Sequence, residues 1–108
     1  MEYGKLVRDR IPEIIVSKGK TPHYHVACPD EYGRSLAAKL GEETLEFQES
    51  GNLEELADVL EVIYAICAYK DMPFSVVERI RARKALERGG LERRIILDSV
   101  DEVSGTKS

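Results

Sequence analysis

Seven acidic residues stand within one stretch of 22 positions, KLGEETLEFQESGNLEELADVL, from Lys39 to Leu60, and five of them fall into two clusters. Glu42, Glu43 and Glu46 form one cluster, and Glu55 and Asp58 form a second. Residues three or four apart on a helix project side by side, so each cluster occupies one helical face. If the two helices pack antiparallel, four or five carboxylates converge. Hard divalent cations such as Mg²⁺ take oxygen ligands in octahedral array and keep positions for water and substrate phosphate. The competing reading is that these acids are simply solvated on helix surfaces.

The helical wheel separates the two readings. At about 100° per residue, Leu36, Leu40 and Phe47 share one narrow stripe, and Glu43 falls in the middle of it. Glu43 therefore points where a core residue belongs. On the following helix Leu53, Leu56, Val59, Leu60, Ile63, Ile66 and Cys67 fill one broad side, while Val62, Ala65 and Tyr69 continue the other side below Glu55 and Asp58. Its second half is apolar all round, which implies burial on more than one face. A carboxylate against apolar surroundings is costly unless paired, protonated or bound to a cation, so the pattern favours a metal site. Glu42 lies further round the wheel.

The elements that must position these acids are four helices and two short strands. Asp9 is placed to cap a first helix with Pro12 in its first turn, and Gly19 ends it. Tyr24 to Cys28 alternates apolar with polar residues and reads as a strand. His23 and His25 share one face of it, but without further ligands they fall short of a structural zinc site. Asp30 is the expected cap of the second helix, which fades at Ser50 and Gly51. Asn52 is the expected cap of the third, with Glu55 at the N3 position of a capping box, a purely structural use for that acid. Asp58 has no such use. Asp71, Met72 and Pro73 end the third helix. Ser75 and Glu78 form a second capping box at the start of a fourth helix that runs to about Arg88. Gly89 and Gly90 follow, either as a simple C-cap or as backbone open to a phosphate. Leu91 to Leu97 reads as a second strand able to pair with the first. The expected architecture is an all-α antiparallel helical bundle with a short two-stranded β element, one domain over residues 1–98 and a loose tail over 99–108.

Composition narrows the function classes. The chain has 108 residues, 43% of them apolar and 33% charged, as a globular domain does. Its net charge of -4 argues against a nucleic-acid polymer as partner. Basic residues nonetheless gather in the last third, at Arg79, Arg81, Arg83, Lys84, Arg88, Arg93 and Arg94, and near the start at Lys5, Arg8 and Arg10. Basic groups flanking an acidic centre suit a polyanion bridged to the acids by metal, although each arginine can equally pair with Glu78, Glu87 or Glu92 on the surface. The two cysteines, Cys28 and Cys67, belong to no metal or redox spacing, and Cys67 reads as a buried hydrophobe. No leader or membrane span is read from the sequence, so a cytoplasmic setting with no membrane partner is the expectation.

The ordered acids resemble a known signature. Glu42-Glu43-x-x-Glu46 followed by Glu55-x-x-Asp58 is similar to the EExxE...ExxD pattern of the all-α nucleoside triphosphate pyrophosphohydrolase superfamily, which includes MazG and phosphoribosyl-ATP pyrophosphohydrolase. Lys5-Leu6-Val7-Arg8-Asp9-Arg10-Ile11-Pro12 resembles the KLVRDKIP opening of a compact MazG-like branch, with Arg10 in place of Lys. Lys84 to Leu91, KALERGGL, is similar to that branch's KxxERGGF ending, with Leu91 in place of Phe. The resemblance covers residues 3 to about 97. It implies hydrolysis of a nucleoside triphosphate between the α and β phosphates, with Mg²⁺, for which Mn²⁺ can substitute. Glu43, Glu46, Glu55 and Asp58 would ligate the metal, and Glu42 would be a further ligand or would orient the attacking water. Lys5, Arg8, Lys84 and Arg88 would hold the phosphates. It also implies a homodimer or tetramer, here expected to be a dimer built on the second and third helices. Three other readings compete: the phosphoribosyl-ATP pyrophosphohydrolase reaction of histidine biosynthesis, a non-catalytic helical module that binds a nucleotide or a partner, and a small dimeric scaffold whose acids only cap helices.

Overall fold

A computed structural model describes residues 4–102, and among these the regular structure is entirely helical. Helix α1 spans Ile11–Ser17, α2 Pro29–Ser50, α3 Leu53–Tyr69 and α4 Phe74–Arg88. The chain divides into two compact units, 1–74 and 75–108. The first holds α1, α2 and α3 with the first residue of α4, and the second holds the rest of α4 and the chain beyond it. Residues 103–108, most of the expected tail, lie outside the described residues. No helix among the described residues is long and apolar enough to cross a membrane.

The α2–α3 hairpin forms because α2 stops abruptly. Gly51 adopts φ 69°, and its N–H reaches the Phe47 carbonyl at 2.8 Å, a left-handed C-cap that a residue with a Cβ adopts only at a cost. Two residues then suffice to reverse the chain. Asn52 stands at the N-cap of α3 as expected, but its side chain makes no capping bond. Ser50 Oγ instead accepts the Asn52 N–H at 3.1 Å and donates to Glu55 Oε1 at 3.5 Å. The expected capping box is therefore absent, with Ser50 Oγ standing between the Asn52 N–H and the Glu55 carboxylate.

Other expected caps are also displaced. Cys28, not Asp30, is the N-cap of α2, because Pro29 takes the first helical position, where its missing N–H costs nothing. Asp30 and Glu31 then lie in the first turn, where negative charge suits the helix dipole. Arg10, not Asp9, precedes α1 and pairs with Glu13 at 3.0 Å. Ser75 lies inside α4, and Glu78 pairs forward with Arg81 at 2.7 Å.

The two expected strands are not present: neither 24–28 nor 91–97 carries strand structure. Tyr24, Val26, Ile95, Ile96 and Leu97 are all exposed. Alternation expresses a side-chain preference, whereas a strand exists only when a neighbouring strand takes up its backbone groups.

At the end of the hairpin away from the Gly51 turn, α2 and α3 meet at Gly33 and Tyr69. A Cβ on Gly33 would stand 2.5 Å from the Tyr69 hydroxyl oxygen, so only glycine permits this approach. The Tyr69 hydroxyl donates to the Pro29 carbonyl at 3.0 Å, and its ring meets Tyr32 edge-on at 5.5 Å. Between the two ends, Leu36, Val62 and Cys67 form a small buried core. The outer side of α3 is different: Leu53, Leu56, Leu60 and Tyr64, spaced three or four apart, are exposed, Leu53 to 79%. Replacing an interior helical glycine by alanine ordinarily gains about 1 kcal/mol. Gly33→Ala is expected to lose that gain by displacing Tyr69, and to recover it in a Tyr69→Ala background. A denaturant-melt double-mutant cycle that shows the full gain in both backgrounds would contradict this packing.

Candidate metal centre

Glu43 is the only charged residue that is buried among those described, exposed to 6%. Its position follows from the stripe of Leu36, Leu40 and Phe47, which turns this face of α2 towards α3. Lys39, one turn earlier, places Nζ 3.2 Å from Glu43 Oε1. Glu43 Oε2 is buried and has no hydrogen-bond partner. Lys39 offsets the charge, but a buried carboxylate oxygen left without a hydrogen bond still costs on the order of 1–3 kcal/mol.

Other carboxylates gather at Glu43. One oxygen each from Glu43, Glu55 and Asp58 lie within 4.8 Å of one another, and the same holds for Glu42, Glu43 and Glu46. Glu43 belongs to both groups, so the two sequence clusters meet at it. For comparison, opposite oxygens of a Mg²⁺ octahedron stand about 4.2 Å apart, twice the metal–oxygen distance. The spacing and the all-oxygen donor set fit a hard divalent cation, and the unpartnered Glu43 Oε2 is the atom that most lacks one. Glu46 and Asp58 are half-buried and Glu55 likewise, which leaves the cluster open to solvent on one side.

Three basic residues already touch these acids. Lys39 Nζ also lies 3.2 Å from Glu42 Oε1, while Lys5 Nζ lies 3.6 Å from Glu42 Oε2. Glu42 thus has a lysine on each oxygen, consistent with its place further round the wheel. Arg8 Nη2 donates to Asp58 Oδ1 at 2.8 Å. Burial by itself lowers the affinity of Lys39 for its proton, but the hydrogen bonds it donates to Glu43 and Glu42, with their negative charge, outweigh it and the net shift is upward. Lys39 is the member that the motif reading missed. Its signal was present in the spacing, since it precedes Glu42 by three and Glu43 by four positions on the same helix.

Lys84 and Arg88 are exposed on α4 in the second unit. His25 Nε2 lies 2.9 Å from Glu31 Oε2, an ion pair when the imidazole is protonated, and His23 is exposed. An open groove of about 700 Å³ between α2 and α3, lined by Gly33, Leu36, Leu40, Ile66, Tyr69 and Lys70, continues the apolar stripe beyond the acids.

Comparison with known proteins adds one partial likeness. An uncharacterized protein of Mycolicibacterium smegmatis is 50% identical over 45 residues, which is 42% of this chain and 46% of that protein. The match covers less than half of either sequence. No family model matches the chain, and no solved structure does.

The cluster carries its own electrostatic signature. The negative charge of Glu43 is the largest cause that raises the Glu46 carboxyl above its ordinary pKa; burial, Glu55 and Glu42 add to it, and Lys39 opposes. A raised native pKa means that the folded chain holds the proton more tightly than the unfolded one, so stability rises as pH falls through the native value. Glu46→Gln mimics the protonated form. In EDTA it is expected to melt above the wild type at neutral pH, with the difference closing as pH falls into the carboxylate range. A variant that melts lower at neutral pH would show that Glu46 is not under mutual repulsion.

Proposed function

We propose that this protein is a Mg²⁺-dependent nucleotide pyrophosphohydrolase, which cleaves a nucleoside triphosphate between its α and β phosphates. The observation that carries this reading is the buried Glu43, shared by two carboxylate groups from two helices and with its Oε2 unpartnered among the described residues. Such an arrangement destabilises the fold by itself, and perturbed acids of this kind are characteristic of functional sites. The resemblance of both acidic motifs and of the 5–12 segment to MazG-like pyrophosphohydrolases supplies the reaction class.

In this reading Glu43, Glu46, Glu55 and Asp58 hold the ion. Mg²⁺ bound there neutralises phosphate charge and acidifies water. Glu42, held on one oxygen by Lys39, stands beside the ligands, where a group that orients the attacking water belongs. Water adds at the α phosphorus, and the bridging oxygen leaves with pyrophosphate. Lys5 and Arg8, already beside the acids, are placed to take the phosphates and the charge that develops on the leaving group. The resemblance adds Lys84 and Arg88 of α4 to that set.

The exposed stripe of Leu53, Leu56, Leu60 and Tyr64 supports a homodimer built on the α2–α3 hairpin. Apolar residues at this spacing form a seam that a second helix can cover. The proposed setting is the cytoplasm, where Cys28 and Cys67 remain thiols.

Pyrophosphate release from a panel of canonical and modified nucleoside triphosphates, with phosphoribosyl-ATP included, tests the activity. Release is expected in Mg²⁺ and not in EDTA, and Glu46→Gln and Asp58→Asn should each lower it by more than about 100-fold while folding normally. Near-normal turnover in either variant would reassign the site, and turnover of phosphoribosyl-ATP alone would favour the biosynthetic reaction. Sedimentation at micromolar concentration is expected to give a dimer that Leu56→Glu with Leu60→Glu dissociates. A wild-type monomer would refute the assembly.

A further inference from the structure

The stretch from Gly4 to Arg8 has no helix or strand, yet it crosses from one acid-bearing helix to the other. Lys5 reaches Glu42 on α2 at 3.6 Å, and Arg8 reaches Asp58 on α3 at 2.8 Å. Between them Leu6 is half-buried and, with Ser35, Ala38 and Lys39, lines a small cavity of about 70 Å³. The segment is thus attached to the hairpin chiefly through carboxylates of the candidate metal centre.

We propose that residues 5–8 form a counter-ion strap. In the metal-free protein Lys5 and Arg8 neutralise Glu42 and Asp58, a divalent cation at the centre releases Arg8 first, and the freed strap closes again on the phosphates of the nucleotide. This rests on the proposed function and adds an order to it, metal before nucleotide.

Three observations carry the proposal. Arg8 holds Asp58, one of the three acids grouped around Glu43, so the guanidinium and a cation compete for the same carboxylate. The two strap pairs are half-exposed, with the Lys5 and Arg8 side chains 52% and 55% accessible, and such pairs contribute little and are readily exchanged. Lys39, by contrast, is only 19% exposed and fixed on α2 between Glu42 and Glu43, so it stays when the others leave. A released guanidinium presents a planar fork of donors that matches phosphate oxygens, and the cation prevents its return to Asp58. Phosphate that binds across the metal restores an anion for both strap residues.

The strap contains its own reporters, since trypsin cleaves after Lys5 and Arg8. The experiment follows these cuts by mass spectrometry, with cleavage after Arg94 as internal reference and Mn²⁺ occupancy read by isothermal titration. Mn²⁺ alone is expected to speed cleavage after Lys5 and Arg8, and Mn²⁺ with pyrophosphate is expected to slow it below the metal-free rate. Binding is reciprocal, so Arg8→Gln should take Mn²⁺ about two- to fivefold more tightly, the range one half-exposed ion pair can contribute. It should also expose Lys5 in metal-free protein. Mn²⁺ that binds while strap cleavage is unchanged or slowed overturns the strap and leaves the metal centre standing. Weaker Mn²⁺ binding by Arg8→Gln also overturns it, because Arg8 would then be supporting Asp58 as a ligand. Absence of Mn²⁺ binding to the wild type removes the metal centre and the strap together.

Discussion

One carboxylate organises the structure around it. Glu43 is carried into the α2–α3 interface by the apolar stripe on which it lies, with one oxygen satisfied by Lys39 and the other by nothing among the described residues. Its neighbours raise the cost, because Glu46, Glu55 and Asp58 bring further negative charge to the same place. A fold selected for stability alone would put an apolar residue there, or give the acid a second donor. What holds the arrangement together is the hairpin at its two ends: the Gly51 turn beside the acids, and the Gly33–Tyr69 contact at the opposite end. Between these clamps the helices cannot splay to relieve the repulsion.

Charge is distributed so that the centre remains partly neutralised. Five carboxylates from two helices face Lys5, Arg8 and Lys39, Glu61 also acts on Arg8, and the balance is negative. A divalent cation would offset that remainder in large part. The three basic residues differ in tether: Lys39 belongs to α2 itself, whereas Lys5 and Arg8 sit on chain without regular structure. This difference in tether separates a fixed electrostatic support from groups that are free to follow a ligand.

The apolar side of the hairpin poses a second constraint. Only Leu36, Val62 and Cys67 are buried among the apolar residues described, while α3 keeps Leu53, Leu56, Leu60 and Tyr64 in solvent. Two packed helices have too little depth to enclose a helix that is apolar on all sides. The same geometry that opens the acids on one face leaves this seam uncovered on another.

Much of this was legible in the residues alone. Periodicity placed α2 and α3, because long apolar patterns report which face a helix buries regardless of what covers it, while proline and glycine punctuation and cap-like residues marked out α1 and α4. The inward aim of Glu43 and the burial of Cys67 followed from the same wheel. The strands at 24–28 and 91–97 were misread, since alternation within a few residues cannot report whether a pairing partner exists. Asp9 and Asp30 were misread as caps because proline and the preceding backbone geometry moved the helix starts. Tertiary structure alone decided three matters: that Ser50 and not Asn52 engages Glu55, that Lys39 takes one oxygen of Glu43 and leaves the other bare, and that Arg8, 50 residues away, closes on Asp58. Local spacing determines which side chains share a face. Which of them meet across the interface depends on how the turn at Gly51 sets one helix against the other.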